Sequence, residues 1–219
     1  MTTTHSAFEK ELSIFSVYGN KLVTPDKTVN VLAKFDEPLV VVLDSVLTDE
    51  ECDALIDISK ERLQRSKIGS TREVSEQRTS SGAFLERSEH EIITRIEKRL
   101  SALSGIPLEN AEELHILNYK PGQEYKEHFD YFAASSKAAA NNRIATFVLY
   151  LNDVEEGGET YFPKINLSVF PKKGCAVYFE YFYNNEETNA NTLHGGAPVI
   201  EGEKWIATQW IRRKPIERS

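Results

Sequence analysis

The chain has 219 residues, 40% hydrophobic and 27% charged, with a formal net charge of -8 and two cysteines. That balance belongs to a folded chain rather than a disordered one, and the length suits one domain with a sizeable core, with or without a modest extension. The acidic excess excludes the basic footprint that binding to a phosphate backbone requires, and two lone thiols, Cys52 and Cys175, exclude a cysteine zinc site and read as reduced, buried residues.

The opening MTTTHSAFEKELSIF has no basic start followed by an apolar core, so no secretory signal is expected and a cytoplasmic location is the working expectation. Residues 1–35 are polar and weakly patterned. They are expected to form a partly ordered arm, or an edge hairpin around Tyr18-Gly19-Asn20, ahead of a single domain over 36–219. The longest apolar run, PLVVVLDSVL at 38–47, is far shorter than the roughly 20 residues of a membrane helix and reads as a buried strand. Thr48-Asp49-Glu50-Glu51 then fits a capping box, and Cys52, Leu55, Ile56, Ser59 and Leu63 follow at helical spacing over about four turns.

Residues 65–82 are rich in Gly, Ser and Thr and are read as a long loop holding at most one irregular hairpin, of the kind that serves as a lid or binding loop. Ser88-Glu89-His90-Glu91 reads as a second capping box. Ile92, Ile93, Ile96, Leu100 and Leu103 make the stripe of a second helix, which Gly105 and Pro107 end. From residue 114 the texture changes to eight short strand-like stretches, separated by turn signals such as Pro121-Gly122, Gly157-Gly158 and Gly195-Gly196. Residues 133–142 are small and polar and suit a short helix or a mobile loop. The pattern predicts a mainly β, α+β fold: a barrel or jelly roll with two helices packed outside it.

Five histidines are present: His5, His90, His115, His128 and His194. His5 lies in the tail, His90 reads as a solvated first-turn residue, and His115, among Leu114, Ile116 and Leu117, reads as structural. His128 and Asp130, in KEHFDYF, stand two residues apart. On a strand such residues project to one face, so an imidazole nitrogen and a carboxylate oxygen can converge. Taken alone, so short a pair reads as a surface ion pair. His194, in TLHGGAPV, adds a second imidazole. Two histidines and a carboxylate are the ligand set of non-haem iron(II) oxygenases, with three positions left open; zinc is the rival on ligand type. Lys204 follows ten residues after His194 and is read on the next strand along. A buried lysine needs an anion, such as the far carboxylate of a dicarboxylate chelating the metal, whereas a surface lysine is the plain alternative. Its flanks, Trp205 and Ile206, leave its face open.

Taken jointly, His128-x-Asp130, His194 and Lys204 resemble the iron(II)- and 2-oxoglutarate-dependent dioxygenases of the prolyl 4-hydroxylase family. The resemblance covers roughly 38–213 and rests on LHILNYKPGQEYKEHFDYF, RIATFVLYLNDVEEGGETYFP and LHGGAPVIEGEKWIATQWIR. It implies a double-stranded β-helix with a catalytic core over about 112–213. His128, Asp130 and His194 would bind Fe(II). Lys204, Tyr119 and Thr160 would hold 2-oxoglutarate, and Tyr125, Arg143 and Trp210 would line a prolyl pocket. The implied reaction hydroxylates C4 of peptidyl proline with O2 and 2-oxoglutarate, giving 4-hydroxyproline, succinate and CO2, with ascorbate as reductant. The implied partner is a proline-containing peptide or protein, collagen-like sequences included, with no nucleic acid or membrane and with a homodimer as the expected assembly. The nucleic-acid demethylating and small-molecule branches usually carry arginine where Lys204 stands. Two alternatives stay open: a 2-oxoglutarate oxygenase acting on another residue or a free amino acid, and a non-oxidative cupin-like binding protein, whose usual His-x-His the carboxylate of Asp130 replaces.

Overall fold

A computed structural model describes residues 19–68, 73–182 and 187–217. Strands β1 (Lys21–Val23), β2 (Thr28–Asp36) and β3 (Leu39–Asp44) come first, followed by helix α1 (Asp49–Ser59). Short strands β4 (Gln64–Arg65), β5 (Lys67–Ile68) and β6 (Glu73–Val74) lead to β7 (Ser81–Leu85) and helix α2 (Glu91–Ser104). The strand-rich part holds β8 (Leu114–Tyr119), β9 (Tyr125–His128), β10 (Arg143–Tyr150), β11 (Glu156–Gly157), β12 (Thr160–Phe162) and β13 (Leu167–Val169). It ends with β14 (Ala176–Glu180), β15 (His194–Gly196), β16 (Val199–Glu201) and β17 (Lys204–Arg212).

Two antiparallel sheets carry the architecture. The larger has the order β1-β2-β3-β14-β10-β17-β8-β7-β4, and the smaller is β13-β12-β15-β9. The central strands of the large sheet are buried on both faces, so their apolar runs are nearly continuous. On β10, Ala145, Phe147 and Leu149 join the cluster that holds Leu55 of α1 and Ile93, Ile96 and Leu100 of α2. The alternate residues Val148 and Tyr150 join a second cluster with Phe162 and Val169 of the small sheet. The large sheet therefore has helices on one face and the small sheet on the other, the jelly-roll arrangement expected. None of the helices among the described residues is long and apolar enough to cross a membrane.

Glu51 serves both ends of the helical layer. Its backbone N–H donates to Thr48 Oγ1 at 3.2 Å while its carboxylate accepts from Thr48 N at 3.0 Å, the capping box read in the sequence. The same carboxylate accepts from Arg99 Nη1 and Nη2 at 2.7 and 2.8 Å, tying α1 to α2. Burial alone would push the Glu51 carboxyl up, but Arg99 outweighs it and holds the group below its ordinary value.

Several local expectations are corrected. Among the described residues the first hairpin turns between Val23 and Thr28; the turn expected around residues 18–20 includes Tyr18, which lies outside the described residues. The region 65–82 holds, besides the paired short strands β5 and β6, the first residues of strand β7, which extends the large sheet beyond β8. The second helix is capped not by Ser88 but by His90, whose Nδ1 accepts from Ile92 N at 3.2 Å. Residues 137–141 form a short 3-10 turn. Cys52 and Cys175 are both free and buried, as expected.

Glu51 and Arg99 are 1% and 2% exposed, and removing one member leaves an uncompensated buried charge. Glu51→Gln is therefore expected to cost about 3–5 kcal/mol in urea unfolding at neutral pH. Because the folded Glu51 pKa is depressed, that contribution is full above the ordinary value of 4.5 and is lost as pH falls through the folded value. The gap between wild type and variant should close in acid.

Candidate metal centre and its cavity

β15 pairs with β9 so that His194 stands directly opposite His128, with ring centroids 4.3 Å apart. The sequence reading put Asp130 on the same strand as His128. In the structure β9 stops at His128 and Asp130 sits in the bend that follows, so strand alternation does not aim its side chain. Two contacts do. Arg143 Nη1 donates to the Asp130 carbonyl at 3.1 Å, and Thr146 Oγ1 donates to Asp130 Oδ2 at 2.7 Å. His128 Nε2 lies 3.4 Å from Asp130 Oδ1, and His194 Nε2 lies 3.6 Å from Oδ2. One ligand atom from each residue falls within 4.8 Å of the others.

The imidazoles are prepared as ligands. His128 Nδ1 is 2.8 Å from the Lys126 carbonyl and His194 Nδ1 is 3.0 Å from the Thr192 carbonyl. A carbonyl only accepts, so each Nδ1 carries the proton and each neutral ring turns the Nε2 lone pair to the site. Burial, with His128 nearby, pushes His194 down to about 4, which keeps it neutral at physiological pH. Burial would push the Asp130 carboxyl up, but the neighbouring imidazoles and Arg143 outweigh it and hold the carboxyl well below its ordinary range. Two neutral nitrogens and one carboxylate fit a divalent transition metal.

Lys204 closes the other end of the cavity. The expectation that it lies on the strand beside His194 is corrected: β17 belongs to the large sheet, where Lys204 is opposite Tyr119 of β8, while His194 belongs to the small sheet. The two residues face each other across the sandwich and line one cavity with Tyr119, Tyr125, Thr160 and Trp210. Lys204 is 3% exposed, and burial pushes it down to about 8, with only partial relief from the charge of Glu159. No carboxylate among the described residues lies within ion-pair distance of it. Its Nζ is 5.5 Å from the Tyr119 ring centroid and 5.9 Å from that of Tyr150. Tyr150 donates to Thr160 Oγ1 at 2.9 Å, which leaves the Thr160 proton free for an acceptor in the cavity. Gly158 makes room beside the lysine stem: a Cβ there would stand 3.2 Å from Lys204 Cδ, and its φ of +70 suits glycine.

Outside the metal trio the cavity meets a groove of about 1030 Å³. All three residues predicted for the prolyl pocket border it: Tyr125, Arg143 and Trp210. Tyr125 stacks on His128 at 3.5 Å between centroids. Arg143 lies 3.9 Å over the Trp210 ring and is paired with Glu112 through Nε and Nη2 at 2.7 and 2.8 Å. Three of its five N–H groups are thus engaged within the chain. Trp210 Nε1 is buried without an acceptor. Arg78 escaped the sequence reading because it sits in a polar loop stretch. It is 4% exposed, borders both cavity and groove, rests 4.8 Å from the Tyr125 ring, and makes no side-chain hydrogen bond or ion pair with any described residue. His115 stacks on Phe84 at 4.0 Å in the groove wall, the structural role expected.

Residues 114–212 match the family model described as the 2OG-Fe(II) oxygenase superfamily. The chain is 40% identical to "Prolyl 4-hydroxylase 2" of Arabidopsis thaliana, over 88% of this chain and 72% of that protein. It is likewise 40% identical to "Probable prolyl 4-hydroxylase 7" of the same plant, over 83% of this chain but only 65% of that protein's length. Among solved structures it resembles the viral collagen prolyl hydroxylase of Paramecium Bursaria Chlorella virus-1 in its 2OG complex. There the TM-score is 0.66 and the identity 34%, covering 79% of this chain and 95% of that one.

If His128, Asp130 and His194 form one metal site, His128→Ala and Asp130→Asn should each abolish tight Mn(II) binding by the metal-free protein, measured by calorimetry. Far-ultraviolet circular dichroism should stay that of the wild type.

Proposed function

The chain belongs to the prolyl 4-hydroxylase family of 2OG-Fe(II) oxygenases, and we propose that it hydroxylates C4 of prolyl residues in peptides. The observation that carries this reading is one cavity with two unlike ends: a converged His-Asp-His trio, and a buried lysine with no anionic partner among the described residues. A dicarboxylate that chelates a metal through its keto-acid end and reaches Lys204 with its far carboxylate satisfies both. In this reading His128, Asp130 and His194 hold Fe(II), and Lys204, Tyr119 and Thr160 hold 2-oxoglutarate.

Bound together, Fe(II), 2-oxoglutarate and O2 supply the oxidising power to replace an unactivated C–H hydrogen by hydroxyl, with release of succinate and CO2. The residues of the chain do the rest. Asp130 and the two imidazoles would hold the metal, a ligand set that leaves room for the co-substrate and O2. Lys204 neutralises the distal carboxylate, and Thr160 and Tyr119 add hydroxyl donors that fix its rotation. The apolar layer around Phe162, Phe179 and Ile206 keeps water from the oxidant. On the substrate side the Tyr125 and Trp210 rings are the walls against which a pyrrolidine packs. The free N–H groups of Arg78, Arg143 and Trp210 are donors for the carbonyls of an extended peptide. A groove of about 1030 Å³ suits a peptide better than a free amino acid. A proline-containing peptide or protein is therefore the substrate class, with collagen-like repeats one candidate. Ascorbate is the reductant we assign to iron oxidised in turnovers without substrate.

Incubation of proline-containing peptides with enzyme, Fe(II), 2-oxoglutarate and O2 should add one oxygen atom at proline C4, read by fragment mass spectrometry. Turnover of free amino acids alone, or hydroxylation at a different residue, would overturn the prolyl assignment. Since burial holds Lys204 near 8, most of these side chains are neutral at pH 9 and must gain a proton when the dicarboxylate binds. Calorimetry in buffers of different ionisation enthalpy should show proton uptake at pH 9 that vanishes near pH 7. Lys204→Gln should show no uptake and lose about 2–5 kcal/mol of 2-oxoglutarate affinity.

A further inference from the structure

Asp130 is the odd member of the metal trio. His128 and His194 are fixed by a strand ladder, whereas Asp130 lies beyond the end of β9. Both of its oxygens face the imidazoles, Oδ1 at 3.4 Å from His128 Nε2 and Oδ2 at 3.6 Å from His194 Nε2. Nothing in that placement stops the carboxylate from gripping a metal with both oxygens. A two-point grip would consume a position that the co-substrate or O2 needs, because the trio must leave three open.

Thr146 supplies the missing constraint. It is 0% exposed on β10, opposite Trp210 of β17 and Phe179 of β14. Its Oγ1 lies 2.7 Å from Asp130 Oδ2 and 3.2 Å from the Tyr181 hydroxyl. A threonine has one hydroxyl proton, and a carboxylate only accepts, so that proton points at Oδ2. The Tyr181 hydroxyl lies 3.2 Å from both the Thr146 oxygen and the Ala145 carbonyl, two acceptors for its single proton. Burial pushes the Tyr181 phenol well above its ordinary value, so it keeps its proton to donate. The bond from Thr146 to Asp130 therefore has one direction, and it ends on a single oxygen.

We propose that Thr146 is a positioning residue that pins Asp130 Oδ2 and so presents Oδ1 alone to the metal, keeping the carboxylate one-toothed and a coordination position open. The sequence signal is a lone hydroxyl in the otherwise apolar run IATFVL. A buried hydroxyl without a partner is costly, so this one needs the contact it makes. The inference rests on the metal assignment proposed above.

The test is Co(II) titration of the metal-free protein, read by calorimetry and by the visible ligand-field spectrum, in wild type, Thr146→Val and Thr146→Ser. Thr146→Val keeps the shape without the donor and should bind Co(II) about 10–100-fold more weakly, the usual cost of removing an outer-shell partner. Its spectrum should be altered, and it should release more succinate per hydroxylated peptide. Thr146→Ser should restore affinity and spectrum. Should the valine strain the strand, Thr146→Ala removes the same donor without bulk and is held to the same outcome. Donor-free variants that match wild type in both affinity and spectrum would overturn the inference, as would a serine variant impaired as much as valine. Failure of the wild type itself to bind Co(II), or unchanged binding in His128→Ala, would instead overturn the metal assignment.

Discussion

One cross-strand pair organises the site: His194 of β15 opposite His128 of β9. A one-residue slip in this register would turn one imidazole to the other face of the sheet, and no choice of side chain elsewhere would repair the ligand set. The pair sits in the small sheet, which is packed against the large sheet by Phe162, Phe179 and their neighbours. The large sheet is in turn braced from behind by α1 and α2. Helices far from the chemistry thus act on it through one continuous packed layer. The Glu51–Arg99 contact locks the two helices that close that layer.

The second constraint is charge. The interior holds an ionised Asp130 at one end of the cavity and Lys204 at the other, with Arg78 beside them. Asp130 is held by the Thr146 hydroxyl and by the nearby charge of Arg143. Lys204 and Arg78 are satisfied by no described residue. A buried cation without an anion is an unstable arrangement, so both side chains favour an anionic or accepting group in the cavity. Lys204 shows that cost in its lowered pKa, and the dianionic co-substrate we propose for the cavity would remove it. Arg143 illustrates the opposite economy: its pairing with Glu112 and stacking on Trp210 make it part of the scaffold as well as of the groove.

Much of this was legible in the chain. Eight strand-like stretches from residue 114 on correspond to strands, the Thr48 box caps α1, and the His128, Asp130 and His194 set converges. These features depend on local periodicity, local hydrogen bonding and ligand chemistry, all of which a sequence displays. What was not legible depends on tertiary pairing. β7 pairs only because β8 offers its edge, so its first residues, Ser81 and Gly82, read as loop. His90 replaced Ser88 as cap because its ring nitrogen reaches Ile92 N. Lys204 approaches from the sheet opposite His194, a relation that a spacing of ten residues does not encode. Arg78 and Thr146 carried no motif: one was an arginine among polar residues, the other a hydroxyl in an apolar run, and only packing gives each its place.

The central claim is that one cavity couples oxidation of 2-oxoglutarate to hydroxylation of a peptide held over the same metal. Isotopically labelled O2 tests it most directly. With a proline peptide, the account predicts one labelled oxygen atom in succinate and one in the hydroxyproline, formed in equal amounts. Labelled succinate without labelled peptide, or hydroxyproline whose oxygen comes from water while succinate is unlabelled, would contradict it.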